Sequence, residues 1–578
     1  MGEGCIAIAI PESPAALQEF LYAPDTVDFV VRGAEAVEQL LKGEERIVVT
    51  QTLAGRYTIC YAKEKDFKAL IASFGSSFVS SASLVLGQFG RPALEAANII
   101  QAQQQPYLSL LGSGVLIGIV DSGIDYTQQV FRYEDGTSKI RYLYDQSIPG
   151  SPPEGFYLGT EYTNEQINAA LKAPDPYQVV PQKDESGHGT YLASVIAGRP
   201  LENFTGAVPD SEIIAVKVRD ARPFYRTYFC VPENQKYAFE SSAVMIGVEY
   251  IVKKARDLKR PAVICLALGT SFGGHDGYTL FEEYLDGISN LNGVCLCTAV
   301  GNESQARHHT QGIISTKGET HNIDLRVGDN AGDIFISIWN SISDRMAVTI
   351  RSPTGELVGR VPPKSGTVSE TNLILERTTV MVEYFFPLEE TGGQLTVVKL
   401  LHAAPGIWTL ILDGDIILDG TFHAWLPITG FISPDVEFLA ATPYYTVTVP
   451  STMIGSVAAG AYNSNQDTLY ADSSWGPNRL GQNTPDVSAP GVSVEGYFPT
   501  GPGTMNGTCA AVAITAGACA QMLEWGVVKG NDPALSTYQI RAYLVRGCDR
   551  KEDTKYPNPQ WGYGTLNVLQ TFQYMREL

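Results

Sequence analysis

Four continuous apolar runs constrain the fold of this chain more than any other feature: Val115–Val120, Ile213–Val218, Ala262–Leu268 and Gly293–Val300. A strand wetted on one face alternates apolar with polar residues, whereas a strand buried on both faces is apolar throughout. Helical patterns at Thr190–Ala197 and Phe239–Leu258 separate the runs. The alternation predicts an α/β core, a parallel sheet flanked by helices. Such a sheet gathers its chemistry at the carboxyl ends of its strands.

Two regions have a different pattern. Upstream, Val27–Val31, Arg46–Thr52 and Tyr57–Tyr61 read as strands and Lys63–Phe74 as a helix, a small α+β unit. Between 320 and 440 the chain is a series of short strand-like runs: Ile323–Val327, Ile334–Trp339, Met346–Ile350, Thr379–Phe385, Leu395–Val398, Trp408–Leu412 and Ile416–Leu418. Turn residues punctuate them, which predicts an inserted all-β, jelly-roll-like domain. α/β character resumes near Ile454–Gly460, and helices follow at Cys509–Leu523 and Thr537–Leu544. The expected division is 1–90, 91–319, 320–440 and 441–578.

Charge and cysteine usage narrow the function classes. With 41 Lys+Arg against 62 Asp+Glu, the net charge of −21 argues against nucleic acid as a partner. Nine cysteines cannot all pair, and there is no CxxC spacing. Cys295 and Cys297 alternate on a strand pattern and read as reduced, buried apolar residues. Neither a metal site nor a cofactor is expected. The N-terminal segment lacks a cationic region ahead of its short apolar run, so a signal peptide is not expected. No run of about 18 apolar residues occurs, so no membrane insertion is expected either. The expected compartment of synthesis is the cytoplasm, and the expected state is a monomer.

Four motifs carry candidate chemistry. Asp121, in Val120-Asp121-Ser122-Gly123, directly follows a buried strand. His188 lies between two glycines at a helix start, in Asp184-Glu185-Ser186-Gly187-His188-Gly189-Thr190, where small neighbours let a substrate approach. Asn302 ends another buried strand, in Thr298-Ala299-Val300-Gly301-Asn302, and its amide suits a developing oxyanion. Cys509 opens a long apolar helix, in Asn506-Gly507-Thr508-Cys509, where the positive helix end favours a thiolate. Read singly, Asp121 and Asn302 are also good turn residues and Cys509 is also an ordinary core thiol.

Taken together, the order Asp, His, Asn, nucleophile resembles the subtilisin-like serine proteases, in which Asp precedes His and the nucleophile follows. Gly206-Ala207-Val208-Pro209, Ser474-Trp475-Gly476-Pro477 and Pro485-Asp486-Val487-Ser488-Ala489-Pro490-Gly491 add to the resemblance. Asp125-Tyr126, Tyr144-Asp145-Gln146, Ala511–Gly517 and Trp561-Gly562-Tyr563-Gly564 are similar to the clostridial spore-germination subgroup, the Csp proteases. The resemblance implies an N-terminal prodomain at 1–90 that chaperones folding, is cut from the core by self-cleavage and stays in the active-site groove. It places that cleavage within Ser83–Pro92, near Gly87 and Gln88. It also implies that Ala267, Leu268, Gly269, Thr298, Ala299, Val300 and Gly301 wall the substrate site. A protein substrate, a cortex-lytic zymogen, and packaging in a spore follow from the same likeness. A general bacterial subtilase unrelated to spores is the other reading within the family.

Position 509 departs from the family, which has serine there. Sulfur is larger than oxygen and a better leaving group, so the expectation is impaired amide cleavage. Three origins stay open: a substitution introduced to slow self-cleavage, a natural pseudoprotease and a natural thiol protease. Intact Asp121, His188 and Asn302 favour the first. A pseudoprotease would serve as a scaffold or as a germinant-signalling protein.

Overall fold

The computed structural model describes residues 13–33, 47–68, 81–88, 95–201, 204–389 and 391–575. The first twelve residues, Arg46, the second half of the expected helix to Phe74 and the stretch 89–92 of the expected cleavage window lie outside them.

The apolar runs become neighbours in a nine-stranded sheet. Leu116–Asp121 lies between Ala262–Leu266 and Glu212–Lys217, parallel to both. Val294–Ala299 continues the sheet beyond Ala262–Leu266, and Val457–Asn463 continues it beyond that. Ile140–Asp145 extends the other side. The antiparallel strands Thr468–Leu469 and Thr160–Thr163 close the two ends of this order. Leu116–Asp121 is buried at every residue, the reason its sequence does not alternate.

The helix Thr508–Leu523 packs against this sheet with every residue buried. It continues through one π-helical turn, Glu524–Val528. The span Thr508–Val528 is long and apolar enough to cross a membrane, contrary to the expectation from counting consecutive apolar residues. Thr, Gly and Gln residues interrupt that count without making the helix polar. Here it is a core helix, for which an apolar surface all round is the normal pattern.

The N-terminal unit is a three-stranded sheet in the order Thr26–Arg32, Tyr57–Lys63, Ile47–Leu53. A helix, Pro14–Tyr22, precedes it; Ser13 caps its start by accepting from the Ala16 amide at 3.2 Å. The unit packs on the core through Phe67, whose ring meets Phe29 at 5.0 Å and Phe224 at 5.2 Å.

The inserted region folds as a six-stranded and a five-stranded sheet around a core of its own. His309–Ile313 belongs to it, paired with Thr421–Trp425. Leu357–Val361 and Val368–Leu373 are strands that the sequence reading did not find. Both are sheet edges and largely wetted, so neither has an apolar signature. Ile416–Leu418 is not a separate strand: Gly406–Ile416 ends there. Strand Ile334–Asn340 is buried on both faces. Ile334, Ile336 and Ile338 enter the insertion's own core, while Phe335 and Trp339 enter the core of the α/β body. Period-2 geometry thus lets one strand serve two cores.

Candidate active site

Asp121 is the last residue of its strand and His188 the first of the helix His188–Ala197. The helix N-cap is Gly187, held at φ +76, where a side chain would be strained and a Cβ would lie 2.9 Å from Pro499 Cδ. Gly189 has no room either: a Cβ there would lie 2.1 Å from the Gly123 carbonyl oxygen. The strand end and the helix start therefore meet closely, and His188 Nδ1 contacts Asp121 Oδ1 at 2.9 Å and Oδ2 at 3.0 Å. Asp121 is fully buried and His188 nearly so. Burial disfavours an imidazolium, but the Asp121 carboxylate and the Cys509 sulfur outweigh it and raise the His188 pKa well above its usual value. With Nδ1 on Asp121, Nε2 is left to face Cys509, whose side chain hydrogen-bonds the imidazole.

Cys509 is the second residue of the buried helix, where the unpaired amides of the first turn favour negative charge. Its sulfur also bonds the Ala267 carbonyl oxygen at 3.3 Å. Asn302 Oδ1 accepts from the Thr508 amide at 3.1 Å and from Thr508 Oγ1 at 3.2 Å. Fixing the amide oxygen in this way leaves the Asn302 Nδ2 hydrogens as the donors beside position 509. Thr508 Oγ1 in turn accepts from the Gly301 amide at 3.2 Å. Asp121, His188, Asn302 and Cys509, spread across nearly four hundred residues of sequence, are thus joined by a continuous set of contacts.

Next to Ala267, the short strand Leu268–Gly269 pairs antiparallel with Val85–Gln88: Leu268 is opposite Gln88 and Gly269 opposite Gly87. On its other side Val85–Gln88 pairs with Phe239–Glu240. A segment of the N-terminal region therefore runs as the middle strand of three, ending beside the Ala267 carbonyl that Cys509 contacts. Thr298, Ala299 and Val300 lie beneath, fully buried. Thr298 Oγ1 is 2.8 Å from Ser456 Oγ, and Val300 packs with Val447 and Ala458.

Asp184 opens the His188 motif without a role of its own in the sequence, and a cluster of three cysteines has no sequence signal at all. The buried Asp184 carboxylate accepts from Ser122 Oγ, the Gly187 amide and the Thr190 amide, each at 2.8 Å, and from Thr190 Oγ1 at 2.6 Å. It ties the loop after Asp121 to the helix of His188, a positioning role. The only signal was an Asp ahead of a helix start, a common helix-start residue. The cluster is a triangle of sulfurs: Cys295, Cys297 and Cys519 lie within 4.8 Å of one another, all buried, an arrangement able to hold a metal ion. No spacing rule finds it, because Cys519 is 222 residues from Cys297.

A protein-family model described as the subtilase family matches residues 112–324 and 440–564. No curated protein matches the chain. Among solved structures the chain is similar to the Clostridium perfringens CspB protease, with 29% identity over 84% of this chain and 100% of that one and a TM-score of 0.74. The prenylagaramide maturation protease PagA is 14% identical over 81% of this chain and 96% of that one, at a TM-score of 0.40. The PatG macrocyclase domain is 14% identical over 83% and 96%, at a TM-score of 0.40.

Proposed function

Because the chain belongs to the subtilase family of serine proteases, we propose that it is an endopeptidase that first cuts its own N-terminal region and then activates a protein zymogen. Its relation to a Csp-type protease supports a spore cortex-lytic enzyme as that zymogen, and with it synthesis in the cytoplasm and packaging in the spore. The observation that carries the proposal is the strand Val85–Gln88, which pairs with Leu268–Gly269 beside Cys509 as an extended substrate would.

The chemistry follows from the contacts. The residue at 509 attacks the carbonyl carbon of the scissile bond while His188 Nε2 takes its proton. Asp121, on Nδ1, holds the ring in orientation and stabilises the imidazolium. Asn302 Nδ2 and the amide N–H of residue 509 receive the oxyanion. When the C–N bond breaks, His188 returns the proton to the departing amine, and water then releases the acyl group.

With sulfur at 509, the tetrahedral adduct has two exits, and thiolate is the better leaving group of the two. Collapse toward reactants therefore competes with loss of the amine, and this form is slow on peptides. The Cys509→Ser form is expected to process itself, with a new N-terminus within 83–92, next to Gln88, and to react with a fluorophosphonate probe. N-terminal sequencing and active-site labelling read both. A serine form that does neither favours the other reading, a scaffold or germinant-signalling protein on a protease fold.

A further inference from the structure

We infer that Cys295, Cys297 and Cys519 form a site for one soft, thiophilic metal ion of the class of Cu(I), held by three sulfurs between the sheet and the helix that carries position 509. The site is independent of the protease reading, and cysteine spacing alone predicts no metal there.

The three sulfurs come from two elements. Cys295 and Cys297 stand two apart on the strand Val294–Ala299, so both side chains leave the same face. Cys519 belongs to the buried helix Thr508–Leu523, which packs on that strand. Cys297 Sγ is 3.6 Å from Cys519 Sγ, and all three sulfurs lie within 4.8 Å of one another. A thiolate sulfur binds a first-row ion at about 2.3 Å, so three of them around one ion stand about 4 Å apart. The triangle is of that size.

The donor set selects the ion. All three cysteines are fully buried, and their thiols hydrogen-bond one another. Among the described residues no histidine, aspartate or glutamate joins the group. Zinc takes four ligands in closed sites, and the fourth here would have to be a water in an apolar core. Calcium and magnesium take oxygen, which the set lacks. Three sulfurs alone suit a soft ion that accepts three-coordination, which is Cu(I).

Charge points the same way. Burial pushes the Cys295 and Cys297 thiols well up. At Cys519 burial is outweighed by the hydrogen bonds from those two thiols, which hold its sulfur below the ordinary range. The group therefore favours one thiolate and two thiols. A monovalent ion on that thiolate leaves no net charge in the core, whereas a divalent ion needs a second ionisation. The ion keeps its oxidation state, and any further thiol that ionises on binding gives its proton to solvent.

The site has a mechanical place in the fold. Cys519 is ten residues along the helix from Cys509, about 15 Å away. The strand that carries Cys297 leads into Gly301 and Asn302. A bound ion thus staples the element of the nucleophile to the element of the amide donor, away from the reacting atoms.

The test is the metal content of the intact Cys509 chain made in cells supplied with copper or with zinc, since a fully buried site loads as the chain folds. One copper per chain is expected to survive anaerobic dialysis against a Cu(I) chelator and to raise Tm, while zinc is lost. X-ray absorption at the copper edge is expected to show three sulfur neighbours. Cys297→Ala and Cys519→Ala each lose the copper. Cys265→Ala keeps it, because Cys265 is the register partner of Cys297 on the neighbouring strand but lies outside the triangle. Cys509→Ser also keeps it, which separates the site from the nucleophile. No copper in the unaltered chain, zinc retained in its place, or a spectrum with two sulfurs overturns the inference. So does copper kept by Cys297→Ala or lost from Cys509→Ser. Metal content and spectrum are read on the unaltered chain, so they decide the matter even where an alanine variant does not fold.

Discussion

Asp28 Oδ1 accepts a hydrogen bond from Arg222 Nε at 2.9 Å, across the boundary between the N-terminal unit and the α/β body. Arg219 bonds the same oxygen and also Glu240, and Ser242 bonds Asp28 Oδ2. All of these groups are buried. Burial works against a charged Asp28, but Arg219 and Arg222 hold its carboxyl well below the usual range. The N-terminal unit is thus latched to the body by an ion cluster as well as by apolar contact.

Removing the charge of that latch leaves two guanidiniums buried with too little compensation. Asp28→Ala is expected to destabilise the docked N-terminal unit by about 3–5 kcal/mol, the cost of breaking a buried pair from one side. Asp28→Asn loses part of this. Size-exclusion chromatography of the cleaved serine form measures it: the N-terminal fragment co-elutes with the parent protein and separates in Asp28→Ala.

Glu240 makes the latch sensitive to pH. Burial and the neighbouring Asp28 push its pKa up to about 8 from an ordinary 4.5, against the pull of Arg219. A carboxyl whose docked pKa is raised binds a proton on docking, so docking is strongest below the undocked value and weakens as pH rises through the docked one. Affinity of the cleaved unit is expected to fall as pH rises toward 8, by at most about tenfold per pH unit for one proton. Calorimetry or surface plasmon resonance over that window checks it, and Glu240→Gln flattens the dependence.

Asn302 has two jobs that one substitution separates. Asn302→Asp keeps the oxygen that accepts from Thr508 and loses the amide donor. In the serine form it is expected to fold as the parent does and to lose about 10²–10³ in kcat, the typical effect of one missing oxyanion donor. Thermal melting and steady-state kinetics together test this. A loss of Tm matching the loss of rate would make the residue structural instead.

Gly189 fixes the Asp121–His188 contact by lacking a side chain. Gly189→Ala puts a Cβ against the Gly123 main-chain oxygen, which cannot move without moving the loop after Asp121. The expected result is destabilisation of about 1–3 kcal/mol or more with labelling of the serine form abolished. Differential scanning fluorimetry and fluorophosphonate reaction read the two effects.

The candidate site was legible because four locally framed residues fall together in an order that resembles the subtilisin-like proteases. Asp121 ends an apolar run, His188 stands between glycines at a helix start, and Asn302 and Cys509 each lie at the edge of a strongly patterned element. The role of Asp184 was not legible, because it lies in bonds that join the loop after Asp121 to the first turn of the His188 helix, a juxtaposition its sequence neighbours do not announce. The edge strands Leu357–Val361 and Val368–Leu373 were missed for the opposite reason: a wetted strand needs no apolar pattern.

The sequence alone pointed to the parallel sheet and the all-β insertion, and the order of its motifs named four candidate residues. Apolar periodicity is a short-range property and carries the strands, whereas the four residues stand out only by their order along the chain. Tertiary structure decided the rest: Asp28 facing Arg219 and Arg222, and Cys519 closing a triangle with Cys295 and Cys297. Each of these joins groups from separate elements, and burial sets their energies. A linear pattern carries no record of which distant elements will exclude water together.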